Sequence, residues 1–272
     1  MLDIWKAIII GIVEGLTEFL PVSSTGHMIV VGNLIKFTGP KADTFEVVIQ
    51  LGAILAVVVL YWKRCLRLIG IRDQKAPVPS NGRSLNLLHI LIGIAPAGLI
   101  GFLFHDYVKM LFRPETVVIG LVAGGIFMII GERTKAAATQ AMTMDDLTYR
   151  QCLYIGIAQI LSLWPGFSRS GSTIAAGMLT GATRGASADY TFLMAIPLMA
   201  AATGYDLLKN FDQFTSADLL PFAIGFVVSF LVALLAVATF IKLVSRLKLT
   251  YFSYYRFLLA GVALVFILTG AL

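Results

Sequence analysis

Charge is scarce in this chain, and that scarcity decides its class. Only 13% of the 272 residues are Asp, Glu, Lys or Arg, against 58% hydrophobic, with a mean hydropathy of +0.87. Soluble domains carry about 25% charge, so the composition excludes a soluble enzyme and points to an integral membrane protein. Cysteine is nearly missing. Cys65 and Cys152 have no metal-ligand spacing, and two thiols make no disulfide framework, so both are expected to be free. A cleavable leader is missing too: "MLDIWKAIII" lacks a basic n-region and a small-residue cleavage site, so the first apolar segment is expected to be retained. The net charge of +6 sits in short loops, where it reads as a topology signal, and no basic soluble domain is left to hold a nucleic acid.

Apolar runs divide the chain. About 20 apolar residues cross a bilayer. Leu85–Phe104 and Leu219–Ile241 reach that length, while Val47–Trp62, Thr116–Gly131 and Phe257–Leu272 reach it with their flanks. Tyr190–Tyr205 is similar and carries Pro197 as an expected kink. Two other regions are interrupted: Ile4–Ile35 by Glu14, Glu18, Pro21 and Gly26, and Leu153–Thr183 by Pro165, Gly166, Arg169 and Gly171. The Gly120-x-x-x-Gly124 motif permits close helix packing, in the first place within the chain, with a homodimer left open.

The two interrupted regions align with each other. At an offset of 145, "GIVEGLTEFLPVSSTG" lies over "GIAQILSLWPGFSRSG", pairing Gly11 with Gly156, Ser23 with Ser168, Gly26 with Gly171 and Glu14 with Gln159. Weaker matches follow in the same order, Thr44-Phe45 with Thr191-Phe192 and residues 121–130 with 258–267. The pattern predicts a single membrane domain made of two repeats, 1–135 and 145–272. Basic clusters at Lys63–Arg83 and at Lys242, Arg246, Lys248 and Arg256 read as cytoplasmic, and Asp212 and Asp218 as external. The repeats are then inverted, which gives an all-α membrane fold with broken or re-entrant helices meeting at a central site.

Each interruption is chemically loaded. In "EGLTEFLPVSSTGH", Glu14 and Glu18 are an i, i+4 pair on one helix face. Two carboxylates held together in a low dielectric need a cation, a shared proton or water, and Mg²⁺ or Ca²⁺ is the simplest answer. A solvated helix end is the plain alternative. Pro21 ends the helix, and Ser23-Ser24-Thr25 open a second one whose N–H groups and dipole suit a phosphate. Ser24 and His27 share a face at i, i+3, so the histidine is a base, an acid or a nucleophile, or else a satisfied interfacial side chain. In "WPGFSRSGST", Arg169 brings a planar cation suited to phosphate, or an ion pair to Glu14 or Glu18. These are parts for phosphoryl transfer, and a membrane site makes the substrate a lipid phosphate. His89 and His105 are expected at the interface, Asp145 and Asp146 in a solvated loop, and Glu46, Gln50 and Trp164 are candidates to line the cavity.

At these motifs the sequence resembles the undecaprenyl-diphosphate phosphatases, the bacitracin-resistance proteins. The pattern of a glutamate followed by P-V-S-S-T-G-H, and later P-G-x-S-R-S-x-x-T, is met without departure, and "TFEVVIQLGAILAVVV" and "HILIGIAPAGLIG" resemble the family as well. The resemblance implies hydrolysis of a C55 polyprenyl diphosphate to the monophosphate, recycling the lipid carrier of cell-wall synthesis. It also implies a divalent cation and a site facing the outer side of a bacterial plasma membrane. The roles it implies fall on Glu14 and Glu18 (metal or acid–base), Ser24 and His27 (nucleophile or base) and Arg169 (phosphate clamp). Ser23, Thr25, Gly26, Ser168, Ser170 and Thr173 would bind phosphate oxygens. Ser24, His27 and a metal-held water all stay open as the nucleophile. The acid-phosphatase-like lipid phosphatases are excluded, because they need a histidine after the arginine motif and none follows Arg169. The rival class is a lipid flippase or transporter, which has use for an anion clamp but none for an acid pair beside a histidine.

Overall fold

The computed structural model describes residues 3–71, 84–134, 141–209 and 218–270. The loop charges Arg72, Asp73, Lys75, Arg83 and Asp212 lie outside them. The chain is all-α: α1 (Ile4–Thr17), α2 (Ser24–Leu34), α3 (Pro40–Leu60), α4 (Trp62–Leu68), α5 (Leu87–Leu103), α6 (His105–Met110), α7 (Pro114–Arg133), α8 (Tyr149–Gln159), α9 (Arg169–Leu179), α10 (Arg184–Lys209), α11 (Leu219–Leu243) and α12 (Leu249–Leu268). Among the described residues, five helices are long and apolar enough to cross a membrane: α3, α7, α10, α11 and α12.

The outer face is apolar, unlike that of a soluble bundle. Ile4, Ile8, Ile12 and Leu16 form an exposed i, i+4 stripe on α1, and Val227, Leu231 and Leu235 do the same on α11, with Leu235 71% exposed. In water such stripes would drive aggregation; against lipid tails they carry no such penalty. Helix contacts inside use small residues instead. A side chain at Gly11 of α1 would strike the Gly225 carbonyl of α11, and one at Gly156 of α8 would strike the Gly93 carbonyl of α5. The two glycines paired at offset 145 thus do the same job. The result is an interlock in which α11 packs on α1 and α3, α5 packs on α8 and α10, and α7 packs on α12. The nearly wholly buried α9 sits against α7, α8 and α10.

Several boundaries differ from the apolar runs. The span expected at Leu85–Phe104 is the 17-residue α5, about 26 Å at 1.5 Å per residue and short of a hydrocarbon core of about 30 Å. Helix α10 runs through Pro197 from Arg184 to Lys209. The last span starts at Leu249, not at Phe257, which moves Arg256 from the expected cytoplasmic cluster to a fully buried position in α12. Asp218 is buried at the start of α11. Asp145 is buried too: its carboxylate takes Arg64 at 2.6 Å and the Leu85 N–H at 3.2 Å, because a loop acid beneath α4 has a cation within reach. His89, in the first turn of α5, is 8% exposed and stacked on Tyr149 with centroids 4.1 Å apart. Both cysteines are free, and Gly120 and Gly124 pack inside the chain against residues 164–167 and Arg256.

Candidate active site

Both interrupted regions break as the sequence demands. Helix α1 ends at Thr17 and α2 starts at Ser24; α8 ends at Gln159, tightens into a 3-10 turn over Ile160–Leu163, and α9 starts at Arg169. Pro21 and Pro165 supply no N–H for a continuing helix, and Gly166 at φ +89° makes the turn before α9. The two N-caps are near copies. Ser23 sits at φ 72°, ψ 98° with its hydroxyl accepting from the Gly26 N–H, and Ser168 at φ 71°, ψ 115° with its hydroxyl accepting from the Gly171 N–H. Such backbone angles cost a non-glycine residue about 1–3 kcal/mol, so each cap is held by its surroundings. A hydroxyl of the second break also holds the first, since Ser170 Oγ donates to the Leu20 carbonyl at 2.9 Å.

A cavity of about 640 Å³ lies between the breaks. Its polar end is lined by Glu18, Ser23, Ser24, Thr25, Ser168 and Arg169, with Gln50, Gln159 and Trp164 around them. Its largely apolar side is formed by α5 and α10, with Gly98, Gly101, Phe102, Leu198, Ala201 and Ala202, and carries His105, Tyr205 and Asp206 as its polar members. One cavity therefore offers a charged head site and an oily trough, the shape of a lipid carrying an anionic head. The first turn of a helix leaves N–H groups without intrahelical partners, and the first turns of both α2 and α9 reach this polar end.

The central contacts are few. Ser24 Oγ donates to Glu18 Oε2 at 2.6 Å. Arg169 Nη2 meets Glu18 Oε1 at 3.4 Å and Nη1 donates to the Thr191 carbonyl at 3.4 Å. The guanidinium lies 5.5 Å from the Phe19 ring centre. Two long contacts are a light load for a group with five N–H donors. The ion pair expected as one alternative for Arg169 is thus present, and it stands on the cavity wall.

His27 behaves differently from Ser24. Its Nδ1 is 2.7 Å from the Ser23 carbonyl, which can only accept, so Nδ1 carries the proton; its Nε2, 2.7 Å from the Tyr255 hydroxyl, then accepts. The two rings stack with centroids 5.5 Å apart and 10° between planes. Both nitrogens are engaged, and the ring is not on the cavity wall. Ser170 and Thr173 are likewise buried, with their hydroxyls on backbone carbonyls, and Gly26 faces Leu121. Of Glu46 and Gln50, the wall includes only Gln50, which accepts from Thr203 at 2.9 Å. His105 is on the wall as well, edge-on to Tyr205.

Two residues that the motifs do not single out brace the site from α12. Tyr255 holds His27, and Arg256 donates through Nη2 to the carbonyls of Gly166 (2.7 Å), Phe167 (2.9 Å) and Gly120 (3.2 Å). Adjacent residues thereby grip the start of α2 and the turn that leads into α9. The sequence carries no local signal for Arg256, which stands just before the apolar run from Phe257 and reads there as a loop charge.

A family model described as bacitracin resistance protein BacA matches residues 7–262. The chain belongs to this family. The match takes in both broken regions, the cavity and the α12 brace of this BacA-family protein, and it identifies the membrane chain as one of the undecaprenyl pyrophosphate phosphatase family. It lends no support to the flippase alternative.

The donor set bears on a cation. Glu14 is 3% exposed and its Oε1 has no hydrogen-bond partner, an orphaned acceptor of the kind a cation satisfies, and Glu18 one turn on stands at the cavity. Among the described residues, no three His, Cys, Asp or Glu side chains gather as a self-sufficient metal site. Glu18 is on the cavity wall and Glu14 is not; as hard oxygen donors one turn apart, the two carboxylates are of the type that fits Mg²⁺ when further oxygens complete its shell.

Proposed function

We propose that this protein hydrolyses undecaprenyl diphosphate to undecaprenyl phosphate and inorganic phosphate in a bacterial plasma membrane. The cavity opens to the outer side, and the product returns a lipid carrier to peptidoglycan synthesis. Ser24, on Glu18, carries the reading. A serine hydroxyl held 2.6 Å from a carboxylate, at a helix N-terminus and beside an arginine, is an activated nucleophile with its charge clamp in place.

Glu18 takes the Ser24 proton as Oγ attacks the terminal phosphorus. The bond from that phosphorus to the bridging oxygen breaks, and undecaprenyl phosphate leaves with the proton that Glu18 took, which restores the Glu18 carboxylate. Water then attacks the phosphoserine, Glu18 accepts a proton from it, and the proton returns to Ser24 as phosphate departs. Arg169 and the first turns of α2 and α9 hold the non-bridging oxygens, with Ser23, Thr25 and Ser168 on the same wall. His27 keeps the Ser23 carbonyl in place. Glu14 and Glu18 would hold a Mg²⁺ or Ca²⁺ ion, which supplies neutralisation of the diphosphate charge. The scaffold is read as two inverted repeats, 1–135 and 145–272, supported by the matched caps at Ser23 and Ser168.

The test is phosphate release from farnesyl or undecaprenyl diphosphate by purified protein in detergent, with Mg²⁺, with Ca²⁺ and with chelator. Release is expected with metal and not with chelator, and is expected to collapse in Ser24→Ala, Glu18→Gln and Arg169→Ala. A folded wild type that releases nothing under any metal would overturn the proposal and turn attention to lipid translocation in liposomes.

A further inference from the structure

Gln159 is a polar residue at this cavity that the phosphatase reading leaves unused. It is the last residue of α8, lies on the cavity wall and is 0% exposed, yet neither Oε1 nor Nε2 of its amide has a hydrogen-bond partner. Buried side-chain amides are almost always bonded, and leaving both ends of one unmet is costly. A methionine would fill the same volume without that cost. The position is also firmly set: the Gln159 carbonyl accepts from Ser162 Oγ at 2.6 Å, Gly156 seats α8 on α5, and Trp164, just after the turn, donates from Nε1 to the Thr116 carbonyl at 2.8 Å. A rigid, buried, unsatisfied amide at the polar end of a cavity awaits an occupant rich in acceptors.

We propose that Gln159 binds the diphosphate head, its Nε2 donating to a non-bridging phosphate oxygen in the cavity where Arg169 meets the anion. This rests on the phosphatase reading and names a further contact of that site. Oε1 then accepts from a phosphate hydroxyl or from the water that hydrates the head. The chemistry explains why the position is an amide. Its counterpart in the first half is Glu14, a carboxylate. A second carboxylate facing the same anion would repel it, whereas an amide adds a donor and no charge. The halves have thus divided the work, with acids on the side that moves protons and a neutral donor on the side that holds phosphate.

The experiment compares wild type, Gln159→Met and Gln159→Glu in detergent. It reads thermal unfolding without ligand, calorimetric affinity for inorganic pyrophosphate with Mg²⁺, and kcat and KM on farnesyl diphosphate. Gln159→Met is expected to unfold no earlier than wild type yet to bind pyrophosphate about tenfold more weakly, the worth of one lost hydrogen bond, with KM raised more than kcat is lowered. Gln159→Glu is expected to bind more weakly still. Unchanged pyrophosphate affinity in Gln159→Met, whether or not its unfolding shifts, overturns the assignment while leaving the phosphatase intact. A wild type that neither binds pyrophosphate nor releases phosphate removes the phosphatase reading and this inference with it.

Discussion

Ser24 and His27 stand three residues apart on one helix, and their chemistry is decided by what each already touches. The Ser24 hydroxyl points its proton at Glu18. The His27 ring spends one nitrogen on the Ser23 carbonyl and the other on a tyrosine hydroxyl, so in the proposed reading it braces the strained cap and leaves the attack on phosphorus to Ser24. Glu18→Gln is therefore expected to lower kcat by roughly 10²–10⁴, the usual worth of a general base. Ser24→Ala is expected to abolish phosphoserine labelling by a radioactive substrate. Tyr255→Phe and His27→Gln are expected to cost less than either, and together no more than the worse one alone, since they break one chain of contacts. If His27→Gln matched Ser24→Ala while Tyr255→Phe was silent, histidine would be the nucleophile. Spacing along α2 shows that these side chains share a face, but the tyrosine that engages His27 lies 228 residues away. Asp145 looks like a solvated loop acid in sequence for the same reason, its cation being 81 residues off.

At the scale of elements, the site depends on two helix starts that would not hold their shape alone. Ser23 and Ser168 adopt nearly equal, unfavourable backbone angles, and neighbouring α12 residues hold the two caps. Arg256 binds three carbonyls and, among the described residues, pairs with no carboxylate. Replacing it leaves buried acceptors unmet, so Arg256→Met is expected to lose roughly 2–4 kcal/mol of stability, read as earlier thermal unfolding in detergent, with weaker anion binding as the start of α9 relaxes. A variant as stable as wild type would mean that the 165–168 turn keeps its own shape. The broken segments are legible from Pro21, Pro165 and the polar runs beside them, because those residues act locally. The brace is not, since a charge near a helix end and a charge inside a helix look alike until the helix start is known. A start at Phe257 places Arg256 in a loop; the observed start at Leu249 puts it two turns inside the span.

At the scale of the whole molecule, the repeat reading makes a mechanical demand. The α1–α3 face of the first half is covered by α11 of the second, the α8–α10 face of the second is covered by α5 of the first, and α7 and α12 close on each other. Several of the closest glycine contacts cross between the halves, Gly11 on Gly225, Gly15 on Ser229, Gly156 on Gly93 and Gly125 on Phe257. In a bilayer, helix association rests on such close packing and on hydrogen bonds, since lipid already satisfies apolar surface. A half without its counterpart thus keeps helices but loses the contacts that position them, and the cavity loses one of its walls, since Glu18 and Arg169 come from different halves. The protein divided after Thr134 is therefore expected to give fragments that are separately unstable in detergent, with neither releasing phosphate. Co-expressed, the fragments are expected to purify as one complex that recovers metal-dependent release. A first fragment that stays folded and monodisperse by itself would show that the halves are independent domains that merely touch. Recovery of the complex without recovery of release would place the decisive constraint in the continuous connection and not in the interlocked faces.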